Sequence, residues 1–192
     1  MIKMNIFSSY LMQLIALVFL LILTMFGCSS ATASDFFSEY VDETGAISFP
    51  HRFKQEFAHI GSWFALEGNA SGFHDVYTEK NSLLFYQKHG YFPDGATLVK
   101  ELRASESGEY TTGKVVHHSN ALIKQWFVMI KDSKDRFSNN SLWGAGWGWA
   151  LFRPSNLTKN IAKNYQHDCL GCHVPAQETD LIYIEGYPVL SE

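Results

Sequence analysis

A short motif near the carboxyl end, Cys169-Leu170-Gly171-Cys172-His173, constrains the fold more than any other feature of the chain. Two thiols three residues apart on a helical turn can bond both vinyl groups of one porphyrin, and the next imidazole then faces the iron. This spacing is typical of c-type haem attachment, with Cys169 and Cys172 as attachment points and His173 as the iron ligand. A redox dithiol, a disulfide or half of a zinc site would use the same two cysteines. However, the chain has only 3 cysteines and lacks the second Cys-x-x-Cys pair that a four-cysteine zinc site would need.

The position of the motif predicts an iron with an open coordination site. The chain ends at Glu192, 19 residues after His173, which excludes a small electron carrier whose second ligand lies far downstream. Of the 5 methionines only Met129 lies outside the first 25 residues, and a core position is its simpler interpretation. A second histidine ligand stays an alternative, and His74 is the histidine most suited to face a pocket. An open iron binds small molecules, which favours catalysis or gas binding over plain electron transfer.

Residues 1–33 have the pattern of an export signal. Residues 11–26 are almost entirely apolar, but at about 1.5 Å per residue they are shorter than a bilayer core of about 30 Å. Two cleavage sites compete: a lipoprotein-like site before Cys28, and an A-x-A site at residues 31–33. An uncleaved anchor helix is a third interpretation. Each predicts that residues 34–192 form one domain outside the cytoplasm, in the periplasm, with a lipid on Cys28 as an alternative tie to the membrane.

Composition and charge exclude several classes of protein. With 192 residues, 46% of them hydrophobic and 15% aromatic, the chain suits an ordinary globular domain rather than a disordered, collagen-like or coiled-coil protein. Lys and Arg number 15 against 19 acidic residues, for a net charge of −4, and no basic block occurs. Because phosphate binding needs a concentrated cationic face, nucleic acid is not a predicted partner.

The periodicity of apolar residues predicts an α+β fold, mainly an antiparallel β-sheet with a few helices. Helices are expected over 51–59, over 79–89 with Gly90 as the C-cap, and from Asn156 to the cysteine motif, with Ser155 or Asn156 as the N-cap. Strands are expected over 62–67, 75–78, 96–103, 121–131 and 146–152 and within 181–190, with a loop or hairpin over 105–113.

Two of these strands have unusual faces. In 96–103, Lys100 lies between Leu98 and Leu102 on the face that should meet the core. An unpaired buried ammonium tends to lose its proton and become a nucleophile, whereas a lysine at a sheet margin keeps its amine in water. In 144–152, the glycines at 144, 146 and 148 share one face, which leaves room either for a flat porphyrin or for close packing.

Taken in order, these features resemble the cytochrome P-460 family, which also includes the beta-type cytochromes c′. The resemblance covers roughly residues 48–190, nearly all of the predicted domain. It is carried by the Pro50 helix running into Gly61-Ser62-Trp63, by Val76-Tyr77, by Phe92-Pro93-Asp94-Gly95 leading into Val99-Lys100-Glu101, and by the haem motif followed by Tyr187-Pro188-Val189-Leu190.

The resemblance implies a mainly antiparallel β fold, commonly a homodimer, with one five-coordinate haem c and His173 as proximal ligand. It implies that Lys100 matches the lysine that bonds covalently to the porphyrin edge in true cytochromes P-460. Those enzymes oxidise hydroxylamine, alone or with nitric oxide, and pass electrons to a carrier cytochrome. Catalysis there needs a distal carboxylate, which the resemblance does not place in this chain. His74 stands where some members carry a distal arginine.

The same resemblance implies an alternative function. The beta-type cytochromes c′ lack the lysine crosslink and bind nitric oxide or carbon monoxide at an apolar distal face. A non-catalytic gas-binding protein is therefore the second hypothesis, next to a hydroxylamine-oxidising haem oxidoreductase.

Overall fold

The structure is a computed structural model, and it describes residues 37–191. In this part of the chain, six antiparallel strands form one sheet in the order β1-β2-β3-β4-β6-β5. The export signal predicted over 1–33, including Cys28, lies outside the described residues. The strands are β1 (Phe57–Ala65), β2 (Gly72–Glu79), β3 (Thr97–Tyr110), β4 (Gly113–Lys131), β5 (Trp143–Gly144) and β6 (Trp147–Phe152).

The helices are short, and the last of them carry the cysteine motif. α1 is Phe53–Glu56 and α2 is Lys80–His89, which ends at Gly90 in the left-handed conformation as predicted. A C-terminal helical stretch then combines a π-helical turn (Gln166–Leu170), α3 (Gly171–His173) and a 3₁₀ helix (Val174–Thr179), followed by 3₁₀ turns Ile184–Gly186 and Pro188–Ser191. The predicted α+β class, with a mainly antiparallel sheet, is confirmed. No helix within 37–191 has the length and apolar character needed to cross a membrane.

Alternation along the strands divides the core between the two faces of the sheet. Leu98 and Met129 belong to one buried cluster, whereas their neighbours Val99 and Val128 belong to the other. The last two 3₁₀ turns contact β1 on the first side, and α2 contacts the same region. Aromatic residues of the segment before β1 contribute to the second cluster. The period-two pattern predicted for 96–103 is confirmed.

The segment 105–113, predicted as a loop or hairpin, is a hairpin of two long strands. β3 continues to Tyr110, and β4 begins at Gly113. β2 pairs only with residues 98–103 of β3, and β6 pairs only with residues 126–131 of β4. The outer part of the hairpin is therefore a two-stranded ribbon that extends beyond the rest of the sheet.

The helix predicted over 51–59 is wrong beyond Glu56. Phe57 pairs with Glu79 at the start of β1, so pairing with β2 overrides the helical spacing of the phenylalanines. Gly61, which lies between the predicted helix over 51–59 and the predicted strand over 62–67, is part of β1. A Cβ on Gly61 would lie 2.0 Å from the carbonyl oxygen of Gly186, so the C-terminal turn packs directly on this backbone.

The helix predicted from Asn156 begins only at Gln166. The reason is that the segment around Asn160 bonds to β6 instead of to itself. The Asn160 side-chain oxygen accepts a hydrogen bond from the backbone N–H of Leu151 at 2.9 Å, and the N–H of Ile161 donates to the Leu151 carbonyl at 2.9 Å. These bonds use donors and acceptors that a helix would need for its own ladder.

Two further predictions near the carboxyl end are wrong. The residue before the helix is Tyr165, and not Ser155 or Asn156. The N–H of Gln166 donates to the side-chain oxygen of Asn164 at 2.9 Å. The strand predicted within 181–190 is replaced by two 3₁₀ turns. Pro188 has no N–H to contribute to a sheet ladder, which is consistent with a turn at this point.

The prediction that the glycines of 144–152 share one face is wrong, because the chain turns between β5 and β6. Gly144 pairs with Trp147 and Gly148 pairs with Trp143, so the two glycines lie on opposite faces of the sheet. Each of them allows close packing. A Cβ on Gly148 would lie 2.6 Å from the ring of Trp143, and a Cβ on Gly144 would lie 2.4 Å from the ring of Tyr165. Aromatic rings of the protein thus occupy the space beside these glycines. Of the two interpretations left open by the sequence, close packing is the one that the structure supports.

Candidate functional site

A cavity lies between one face of the sheet and the C-terminal turns. Its walls are mostly apolar and aromatic, and they include two of the three motif residues. The lining residues are Trp63, Val76, Leu98, Lys100, Phe127, Met129, Cys172, His173, Leu181, Ile182, Tyr183 and Tyr187.

His173 presents one ring nitrogen for a ligand and uses the other as an anchor. Nδ1 lies 2.8 Å from the carbonyl oxygen of Leu181. Because a carbonyl only accepts, Nδ1 carries the proton, and the lone pair of the neutral ring is then on Nε2. Burial lowers the pKa of His173 and so favours the neutral form that a metal requires. The ring of Trp149 contacts the imidazole edge-on, with centroids 4.9 Å apart.

The two motif cysteines are free thiols one helical turn apart. Cys169 is half-buried in the π-helical turn, and Cys172 is exposed in α3 beside the cavity. Burial raises the pKa of the Cys169 thiol to about 11, so this thiol is protonated at neutral pH. Within residues 37–191 no cluster of three His, Cys, Asp or Glu side chains could hold a metal ion. The pair thus has no companion ligands there for a closed zinc site.

Lys100 enters the same cavity from β3. Its Nζ lies 4.2 Å from the centroid of the Phe127 ring and 5.9 Å from that of Trp63. Phe127 is its direct partner on β4, and Val76 is its partner on β2. No carboxylate or other hydrogen-bond acceptor among the described residues pairs with this amine. Burial lowers the pKa of Lys100 to about 8, which increases the fraction of neutral, nucleophilic amine near neutral pH.

His74 lies close to the cavity but does not line it. Its ring stacks on Trp63, with centroids 4.8 Å apart, and it is only 3% exposed. Nε2 lies 2.7 Å from the carbonyl oxygen of Ala70, while Nδ1 is buried without a partner in the described structure. Burial lowers the pKa of His74 to about 4. Trp63, rather than His74, forms the cavity wall at this position.

Several residues of the site were not identified from the sequence. Trp63, Phe127 and Tyr187 line the cavity, and the carbonyl group of Leu181 orients His173. Alternation in β4 predicts that Phe127 lies on the same face as Met129, but it does not predict that this face lines a cavity. The structure shows that Met129 is buried and that both residues line the cavity. No aspartate or glutamate among the described residues lines this cavity.

These features fit a covalently attached haem. An apolar cavity, two free thiols one turn apart and an imidazole with an available Nε2 are the groups that a c-type haem requires. Cys169 and Cys172 would hold the porphyrin through thioether bonds, and His173 would hold the iron. The structure brings Lys100, Cys172 and His173 together at one cavity. His74 does not line this cavity, because Trp63 lies between its ring and the cavity.

Comparison with known proteins agrees with this chemistry. The family model described as Cytochrome P460 matches residues 50–184, which is most of the chain. No match was found among curated proteins.

Proposed function

Because this chain belongs to the cytochrome P460 family, whose members are c-type haem proteins related to hydroxylamine-oxidising cytochromes, we propose that it is an exported mono-haem enzyme that oxidises hydroxylamine. Oxidation would occur with or without nitric oxide as co-substrate. The observation that carries this proposal is the amine of Lys100, which lines the cavity of His173 and Cys172 without a carboxylate partner in the described structure. An amine placed in this way is suited to bond to the porphyrin edge, as the corresponding lysine does in true cytochromes P-460.

In such a site, the described residues would have different roles. Cys169 and Cys172 would attach the haem, and the neutral His173 ring, whose Nδ1–H donates to the Leu181 carbonyl, would bind the iron through Nε2. When bound, haem c supplies an iron that accepts a small nitrogenous ligand and takes up electrons from it. The apolar walls around Phe127 exclude water from this ligand.

A second candidate function is supported by the walls of the cavity. Oxidation of hydroxylamine releases protons, and the family uses a distal carboxylate to accept them. The described cavity has no carboxylate, and Phe127 lies directly opposite Lys100 on β4. An apolar cavity of this kind favours a gas-binding protein of the beta-type cytochrome c′ kind, which would hold nitric oxide without turnover.

The proposed partner is a small electron-carrier cytochrome with a cationic surface. Residues 164–191 contain four carboxylates, Asp168, Glu178, Asp180 and Glu185, and neither lysine nor arginine. Three of these four, all except Asp180, are exposed. This acidic surrounding of the haem motif would attract a basic carrier.

We further propose a homodimer, as is common in the family. We also propose a periplasmic location, which follows from the export signal, with a lipid on Cys28 as an alternative anchor.

The two candidate functions are separated by one assay on the purified haem protein. The enzyme proposal predicts that hydroxylamine reduces an artificial electron acceptor at a rate proportional to protein concentration, and that Lys100→Met slows this rate at least tenfold. Lys124→Met is the matched control, since Lys124 lies on β4, outside the cavity, and donates to the Ser71 carbonyl. Tight nitric oxide binding without any hydroxylamine-dependent reduction would overturn the enzyme proposal and support the gas-binding one.

A further inference from the structure

The carbonyl group that holds His173 belongs to a strained turn. Asp180 and Leu181 follow one another with φ values of +58° and +65°, in the left-handed region that non-glycine residues rarely adopt. Aspartate tolerates this conformation better than most residues do, whereas leucine does not, so the strain falls mainly on Leu181, whose side chain is buried. Backbone strain of this kind persists only where surrounding contacts impose it, and it is concentrated at functional sites.

Two residues of the sheet impose this conformation. The Nζ of Lys131 lies 2.9 Å and 2.8 Å from the two carboxylate oxygens of Asp180. The indole N–H of Trp147 donates to the backbone carbonyl of Asp180 at 3.0 Å. Lys131 and Trp147 are direct partners on β4 and β6, and the Lys131 amine lies 4.8 Å from the centroid of the Trp147 ring. At this end of the sheet, Lys131 therefore binds the side chain of Asp180, and Trp147 binds its backbone carbonyl.

The residues around the Lys131–Asp180 ion pair allow its two groups to approach closely. A Cβ on Gly146 would lie 3.1 Å from the Lys131 Nζ, so the glycine allows the amine to approach the turn closely. The Lys131 side chain is 12% exposed and the Asp180 side chain is 41% exposed, so water screens this ion pair mainly from the Asp180 side. On the other side of the turn, the N–H of Leu181 donates to the carbonyl of Ala176 at 2.8 Å.

These contacts fix the position of the Leu181 carbonyl, which accepts a hydrogen bond from the His173 Nδ1–H at 2.8 Å. A hydrogen bond to the far nitrogen of a ligating histidine orients the ring and makes the near nitrogen a stronger electron donor. Stronger donation stabilises ferric over ferrous iron.

We propose that Lys131 and Asp180 act as positioning residues for the proximal histidine, because their ion pair holds the strained turn that sets electron donation from His173 to the haem iron. This inference rests on the part of the proposed function in which His173 binds the iron. It does not depend on hydroxylamine being the substrate. It predicts that loss of the ion pair weakens the bond to His173 and makes the iron easier to reduce.

The test uses the complete haem protein and three variants: Lys131→Met, Asp180→Asn and the double variant. Asparagine tolerates the left-handed conformation, so Asp180→Asn removes the charge with little change in backbone preference. Each single variant is expected to lower the Fe–His stretching frequency in the resonance Raman spectrum of the ferrous protein. Each should also raise the ferrous-to-ferric ratio at least threefold at the potential where the wild type is half reduced. The double variant should equal the single ones, since both changes break one interaction.

Matched controls come from the turn after β4. Lys134→Met removes an exposed lysine three residues away, and Asp135→Asn changes an exposed aspartate that also has a positive φ, of +52°. Both controls should keep the wild-type frequency and ratio. A wild-type frequency and ratio in Lys131→Met and Asp180→Asn would overturn the inference. Shifts in the variants of a protein that does not oxidise hydroxylamine would uphold the inference while the enzyme proposal failed. A wild-type protein without covalent haem would contradict both.

Discussion

Lys100 and His173 reach one cavity from different elements, and burial lowers the pKa of both side chains. Their neutral forms each carry a nitrogen lone pair. The His173 Nδ1–H is committed to the Leu181 carbonyl, which leaves Nε2 for a metal. The Lys100 amine lies near the rings of Phe127 and Trp63, has no carboxylate partner in the described structure, and is available for covalent chemistry. The two residues therefore differ in role although the same desolvation acts on both.

His74 gives a prediction about acid stability. Burial lowers its pKa to about 4 in the folded protein, below the ordinary value of about 6.5. Between these values the unfolded chain binds a proton that the folded chain does not. The stability contributed by the neutral ring is therefore complete above about pH 6.5 and is lost as the pH falls through 4. His74→Phe should reduce this loss, by up to about 3 kcal/mol of unfolding free energy between pH 7 and pH 4.

Denaturant unfolding at a series of pH values measures this effect. His167→Phe, at an exposed histidine in the π-helical turn, is the control and should keep the wild-type pH dependence. An unchanged pH dependence in His74→Phe would show that His74 does not titrate between these limits.

At this scale the motif residues, and the face of the strand on which Lys100 lies, follow from sequence spacing alone. The burial of the Lys100 amine does not, because the same spacing also suits a lysine at a sheet margin. Leu181 could not be predicted, because its contact with His173 arises from a left-handed turn in non-glycine residues. The position of His74 could not be predicted either, because it depends on stacking with Trp63 from the neighbouring strand.

At the scale of elements, the direction in which the Lys100 side chain points depends on the register of β3 against β4. Glu101, the next residue, points to the opposite face of the sheet and is only 1% exposed. Its carboxylate accepts from the Lys54 amine at 2.8 Å and from the Trp126 indole N–H at 2.9 Å. Trp126 is the direct partner of Glu101 on β4, so this bond fixes the pairing. A slip of one residue would turn Lys100 away from the cavity.

Removal of this carboxylate should destabilise the fold. Glu101→Ala leaves the Trp126 indole without an acceptor and the Lys54 amine without its partner. We expect a loss of about 3 kcal/mol in the free energy of unfolding, measured with denaturant. Glu109→Ala, at an exposed position of the same strand, should cost less than about 0.5 kcal/mol. Equal effects of the two substitutions would contradict a register role for Glu101.

Strands and α2 were predictable because their patterns and caps agree with their tertiary environment. Gly90 ends α2 in the left-handed conformation, and alternation in 96–103 matches the two buried clusters. The two helix predictions that failed have one physical cause, since partners distant in sequence took over backbone groups that local spacing had assigned to helices. Phe57 pairs with β2, and the Asn160 segment bonds to β6.

At the scale of the whole molecule, the distribution of charge matters more than the net value of −4. The haem-bearing stretch 164–191 has three exposed carboxylates, besides the Asp180 carboxylate that is paired with Lys131, and it has no lysine or arginine. Its field should therefore favour cationic electron acceptors. We predict that the reduced protein transfers electrons faster to a basic carrier protein than to an acidic one. The rate should fall steeply as ionic strength rises to about 0.15 M, because exposed charges are screened over about 8 Å.

Stopped-flow mixing with each carrier measures these rates. A double variant, Glu178→Gln with Glu185→Gln, should slow transfer to the basic carrier several-fold. Glu106→Gln with Glu109→Gln, in the β3–β4 ribbon, removes the same charge elsewhere and should have little effect. A rate that does not depend on salt would contradict electrostatic attraction at this face.

The central claim, that Lys100 bonds to the haem held by Cys169, Cys172 and His173, is tested most directly by an absorption spectrum. The ferrous protein and its Lys100→Ala variant are compared, with Lys124→Ala as the control. A crosslink predicts a strongly red-shifted Soret band in the wild type and the control, and an ordinary high-spin haem c band in Lys100→Ala. An ordinary haem c spectrum in all three proteins would contradict the claim. Lys100 would then form no bond to the haem, and the cavity would be that of a gas-binding protein.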